Sequence, residues 1–107
     1  MKKTIVYIIL ISFSVLAYGQ EKDTAYINDL IGEARQNTLI DPDYAMNLLD
    51  ESYALSDEIQ YSKGLGESLN LRGFVYFNRG LTDFALRSFT ASIPYFQEIN
   101  DSIGLSK

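Results

Sequence analysis

Shifted by 40 residues, the sequence overlays itself. Asp43-Tyr44-Ala45 falls on Asp83-Phe84-Ala85, Leu49 on Phe89, Ser52 on Ser92, and Glu58-Ile59 on Glu98-Ile99. The match continues with Ser62 on Ser102 and Gly64-Leu65 on Gly104-Leu105. A fixed period in this range, with two helices per unit, signals a helical solenoid. Each unit of such a chain buries its apolar face only against its neighbours.

Local signals place the helices. Asp23 or Thr24 can cap a start, and Ile27, Leu30, Ile31 and Ala34 recur at helical spacing, which predicts α1 over residues 24–37. Asp41-Pro42-Asp43 is a sharper start signal. Asp41 can accept free N–H groups, Pro42 suits the first helical position, and Asp43 favours the positive end of the dipole. α2 follows, with Ala45, Leu48, Leu49, Ser52, Leu55 and Ile59 on one side and Asp50, Glu51, Asp57 and Glu58 on the other. Residues 60–66, with Ser62, Gly64 and Gly66, read as a joint. α3 is expected from about Gly64 to Asn78, with Leu65, Leu69, Gly73 and Tyr76 in register.

The stretch 73–92 interleaves small residues (Gly73, Ala85) with aromatics (Phe74, Tyr76, Phe77, Phe84, Phe89). Small residues let two helix backbones approach, and large ones fill the gaps beside the contact. Gly80 permits a left-handed turn, and Thr82 is expected to cap α4, which carries Ala85, Phe89, Ser92, Phe96 and Ile99. Pro94 blocks the bond to the Thr90 carbonyl, which predicts a kink near residues 90–94 or an early end there. Residues 100–102 are expected to form the next joint.

The N-terminus is a different object. Lys2 and Lys3 precede a nearly all-apolar run from Ile5 to Leu16, and Ala17-Tyr18-Gly19 places small residues before Gln20. Residues 1–19 therefore read as a secretory signal peptide, with an uncleaved anchor as the rival. The run falls short of the roughly 20 residues that span a bilayer. No cysteine follows it, so a lipoprotein is excluded. Cleavage places the domain, residues 20–107, outside the cytoplasm, in the periplasm or its equivalent. That part carries 7 basic and 14 acidic residues, a net charge of −7.

Composition removes whole classes of chemistry. The chain has no His and no Cys, so thiolate nucleophiles, Ser-His-Asp relays, ordinary zinc sites and disulfides are excluded. The acidic balance argues against nucleic acid, since Arg72, Arg79 and Arg87 are dispersed among the acids. The paired carboxylates Asp41/Asp43 and Asp50/Glu51 are better explained as helix-start residues and a solvated face. A calcium loop counted from Asp41 would need Gly and Glu where Met46 and Ser52 stand. No enzymatic activity, cofactor or metal is expected.

Leu69, Gly73, Tyr76, Gly80, Ala85 and Phe89 stand in the pattern large, Gly, Tyr, Gly, Ala, aromatic. In this the second unit resembles the tetratricopeptide repeat (TPR), in its longer variety. Ala45 and Leu49 take the helix-B places in the first unit, and Gly32 takes the Gly place only if its loop is one residue longer. Arg72 departs from the pattern, where Leu or Ile is usual, and Ser92 replaces the usual Ala. The stem of Arg72 is expected along apolar surface with its guanidinium on an acidic neighbour of α2; ligand binding is the other reading.

The resemblance implies an all-α superhelix, a TPR solenoid. The first repeat covers about 24–61, the second about 64–101, and an incomplete third begins at 102. It implies a protein- or peptide-binding groove lined from α3 by Glu67, Asn70, Phe74, Phe77 and Asn78. Phe74 and Phe77 either anchor a partner there or pack on α1 or a third repeat. The family's clamp for a terminal carboxylate is not supported, because Lys22, Lys63 and Lys107 all fall outside that groove. Such exported arrays resemble the input regions of bacterial signalling receptors, which makes this chain the N-terminal piece of a longer protein. The alternatives are an adaptor that self-associates through the uncapped face of α4, where Phe89, Phe96 and Ile99 are expected, or a marginally folded chain.

Overall fold

The computed structural model describes residues 23–104, and the signal segment expected over 1–19 lies outside them. The described residues form α1 (23–37), α2 (Pro42–Glu58), α3 (Ser62–Asn78) and α4 (Thr82–Gly104). The fold is all-α, with no strand among the described residues.

The start of α2 follows its sequence signal. Asp41 Oδ1 accepts from the Tyr44 N–H at 3.2 Å, and the Asp41 carbonyl accepts from the Ala45 N–H at 3.0 Å. In the second copy Leu81 holds that place, its carbonyl accepting from the Ala85 N–H at 2.9 Å. Thr82, expected as the cap, is instead the first helical residue, where Pro42 stands in the first copy. The α3–α4 turn has Gly80 at φ +78°, in the left-handed region that glycine enters without steric cost.

The α2–α3 joint differs from expectation. Gln60, not a glycine, takes positive φ (56°), and the Tyr61 N–H donates to the Ser56 carbonyl at 2.8 Å. α3 begins at Ser62, so Gly64 and Gly66 lie buried inside a helix. Packing requires them there. A Cβ on Gly64 would overlap Ser56 Oγ and come 2.8 Å from the Tyr61 ring. One on Gly66 would come 3.2 Å from the Phe96 ring and from Tyr95 Cβ.

α4 also departs from expectation. It does not end early but runs through Pro94 to Gly104. Thr90 and Pro94 are both exposed, so water can satisfy the carbonyl that the proline ring leaves free. Meanwhile Tyr95 and Phe96 keep their contact with Gly66. The joint expected at 100–102 lies inside this helix. At Gln60 the left-handed turn is held because α3 packs back on α2.

The helices form an antiparallel meander. Tyr26 and Tyr44 of α1 and α2 bond Glu51 and Glu33, so sequence order runs oppositely in the two helices. Between α2 and α3, Asp43 pairs with Arg79, Asp50 with Arg72, and Ser52 with Ser68. Between α3 and α4, Gly73 takes the Phe89 ring and Gly66 the Phe96 ring. Ile27, Leu30, Ile31 and Ala34 of α1 join Ala45, Leu48, Leu49 and Leu71 in one buried cluster. The hydroxyls of Ser52 and Ser68 are also buried and meet at 2.6 Å, which satisfies both. Arg72 behaves as its surroundings require: its guanidinium pairs with Asp50 and lies 5.8 Å from the centre of the Tyr53 ring.

The two hairpins repeat each other in burial only in part: Gly73 packs on the Phe89 ring, whereas a Cβ on Gly32 would meet nothing within 4 Å, and Leu69 is buried where Asn28 is exposed. The first interhelix loop covers residues 38–41 and the second 79–81, so the first is one residue longer. That difference aligns Gly32 with Gly73 along the chain, but Gly32 lacks the close helix contact that Gly73 makes. Ile27, Leu30 and Ala34 then fall on Ser68, Leu71 and Val75, and Ala45, Leu48 and Ser52 on Ala85, Ser88 and Ser92; all are buried.

Candidate docking face

Glu67, Asn70, Phe74, Phe77 and Asn78 lie along one stripe of α3, one turn or less apart in succession. Glu67 is half-buried and stands 3.9 Å from Arg35 of α1. Asn70 is half-buried, and Asn78 is exposed at the last residue of the helix. Phe74 is 48% exposed, its ring edge-on to Phe89 with centroids 5.4 Å apart. Phe77 is 60% exposed.

The open face of α4 differs from the sequence expectation. Phe89 and Phe96 are half-buried because their rings fill the space over Gly73 and Gly66, and Ile99 is half-buried. Among the described side chains of α4, the large exposed apolar ones are Phe84, Leu86 and Ile93. Phe84 faces Tyr76, ring centroids 5.5 Å apart, and carries the Arg87 guanidinium at 5.9 Å.

Glu33, Gln36 and Tyr44 stand where the second hairpin has Phe74, Phe77 and Phe84. In the first copy the Tyr44 hydroxyl donates to Glu33 at 2.5 Å. In the second copy Phe74 packs on Phe89 and Phe84 on Tyr76 instead, and both rings are half-exposed. Comparison of the two copies is the signal that would have pointed to Phe84, whose counterpart is Tyr44.

The tyrosines of the first hairpin carry the electrostatic consequence. Tyr44 is raised above the ordinary tyrosine value of 10.0, chiefly by its hydrogen bond to Glu33, and Tyr26 is raised likewise by Glu51. Each hydroxyl holds its proton more tightly folded than unfolded. Above about pH 10 the unfolded chain therefore binds fewer protons, and stability falls as pH rises through the folded value. Thermal melts should be level from pH 7 to 9 and decline above pH 10. Tyr26→Phe/Tyr44→Phe should decline less over that window. Equal slopes would show that the two bonds contribute nothing.

The carboxylates have structural tasks. Asp41 caps α2, Asp43 pairs with Arg79 and Asp50 with Arg72. A cavity of about 400 Å³ at the open end of the first hairpin is lined by Asp23, Tyr26, Glu51, Leu55, Glu58 and Ile59. Glu51 there accepts from the Tyr26 hydroxyl at 2.9 Å. Among the described residues no three acidic groups are placed to hold a metal, and no helix is long and apolar enough to cross a membrane.

Comparison with protein-family models, with curated proteins and with solved structures finds no match.

Proposed function

We infer that this chain is an exported helical-repeat scaffold of the tetratricopeptide kind, which binds another protein through its second hairpin. One observation carries the reading. Phe74, Phe77 and Phe84 are half-exposed where the equivalent residues of the first hairpin are polar. Exposed aromatics mark contact surfaces. The 40-residue self-match and the Gly73–Phe89 contact support the repeat class.

The basic, apolar and small-residue order of residues 1–19 supports export. Together these features favour the input region of a signalling receptor. N-terminal sequencing of the exported protein should begin at Gln20, and an intact Met1 in the cytoplasm would overturn export. Sequencing past the codon for Lys107 tests the receptor. Further repeats and then an apolar span of about 20 residues would support it. A stop codon would sink it in favour of a stand-alone periplasmic adaptor. The exposed Leu86 and Ile93 on α4 favour self-association in that case, which light scattering would report as a dimer.

A further inference from the structure

Charge is divided along the length of the bundle. Successive helices run in opposite directions, so the turns 38–41 and 79–81 share one end, and the Asp43–Arg79 ion pair joins them. Residues 30–50 and 70–93 are these two turns and the half of each helix next to them. They carry five acids (Glu33, Asp41, Asp43, Asp50 and Asp83) and four arginines (Arg35, Arg72, Arg79 and Arg87). The other half, residues 23–29, 51–69 and 94–104, carries eight acids against Lys63 alone. One end is nearly neutral and the other strongly negative.

Apolar exposure follows the same division. Of the ten large apolar side chains exposed among the described residues, only Tyr26 lies in the acidic half. The two most exposed, Ile40 at 81% and Leu39 at 77%, stand together in the first turn, and Leu81 is exposed in the second. Backbone bonds close both turns behind these side chains. The Asp41 N–H donates to the Asn37 carbonyl at 2.9 Å, and the Leu81 N–H to the Tyr76 carbonyl at 2.9 Å.

Aliphatic side chains on projecting turns suit a fluid apolar medium, which needs no matching pocket. A bilayer also fits the charge. An anionic headgroup surface repels the acidic half and leaves the neutral end free to approach. Arg35 and Arg79 are exposed beside the turns, where headgroup phosphates would meet them. Tyr44, one turn beyond Ile40, and Phe84, one turn beyond Leu81, are exposed aromatics, the type that settles at a bilayer interface.

We propose that this end docks on an anionic phospholipid surface, with Leu39, Ile40 and Leu81 entering the acyl boundary and the acidic half pointing away. The inserted residues lie in the turns and not on the stripe of Phe74 and Phe77, so the lipid contact stands or falls apart from the protein contact inferred above.

The chain has no tryptophan, so a single one reports its own surroundings. Ile40→Trp and Leu81→Trp put the reporter in the two turns, and Glu58→Trp puts it in the acidic half. Circular dichroism checks that each variant is folded. The probe is vesicles of phosphatidylcholine and phosphatidylglycerol with brominated acyl chains, which quench only an inserted indole. The apolar run 5–16 can hold the full chain on vesicles by itself, so the depth of each reporter is the measurement. Emission from Ile40→Trp and Leu81→Trp should shift to the blue and be quenched, while Glu58→Trp keeps its emission in buffer. Leu39→Ser/Ile40→Ser, added to Leu81→Trp, should remove most of the quenching. Turn reporters that stay unquenched, all three quenched alike, or quenching that the serine pair leaves unchanged would overturn the proposal. A blue shift that appears without vesicles and disappears on dilution would overturn it in favour of a second copy covering the turns.

Discussion

Gly64→Val is expected to unfold the chain at room temperature, whereas Gly32→Ala is expected to stabilise it. Both glycines lie inside helices, and both substitutions relieve the backbone entropy that glycine loses on folding. Space decides the sign. Nothing lies within 4 Å of a Cβ built on Gly32, so alanine there should gain about 0.5–1 kcal/mol. A Cβ on Gly64 would overlap Ser56 Oγ and stand 3.0 Å from Ser56 Cβ and 2.8 Å from the Tyr61 ring. Rotating the Ser56 hydroxyl away cannot move its Cβ, and valine adds two more carbons to a site closed by α2. Overpacking of this severity costs about 3 kcal/mol or more. A domain this small holds only a few kcal/mol in total. Thermal melts should show Gly32→Ala several degrees above wild type and Gly64→Val with no cooperative transition. A Gly64→Val protein that melted like wild type would mean that α2 and α3 do not approach as described.

Leu49→Ala should have an effect of similar size for the opposite reason, by leaving space. Leu49 is fully buried in the cluster that joins α1, α2 and α3. Truncation removes its transfer free energy and leaves a cavity that helices on three sides cannot close, about 3 kcal/mol in all. Leu39→Ala is the control. Leu39 is 77% exposed in the first interhelix loop, and its truncation should cost less than about 0.5 kcal/mol. Urea unfolding of the two variants measures the difference through the midpoint at constant slope. Equal midpoints would remove Leu49 from the core.

Much of this arrangement was legible in the chain. Asp41-Pro42-Asp43 marks the start of α2 by chemistry that only a helix start rewards, and Gly80 marks the left-handed turn. The self-match aligned the two hairpins in sequence before any contact was known. Arg72 was readable because a cation inside an apolar register needs an acid, and Asp50 is there. Gly64 and Gly66 were not readable. Glycine serves both as a breaker and as a place where another helix comes close, and local sequence does not separate the two uses. Pro94 misled for a related reason: its penalty depends on whether the freed carbonyl can reach water, which is a property of packing. Phe89 and Phe96 were expected on the open side because their partners, Gly73 and Gly66, lie on α3 and had not been matched to them. In the candidate face, Phe74 and Phe77 came from the α3 pattern, while their half-exposure depends on packing.

The most direct measurement is the unfolding free energy of Phe74→Glu/Phe77→Gln beside its affinity for a peptide selected on the wild-type chain. Because Phe74 and Phe77 are about half exposed or more, stability should fall by no more than about 1 kcal/mol while binding is lost. A stability loss of about 3 kcal/mol with binding intact would return both rings to the core and contradict the docking face.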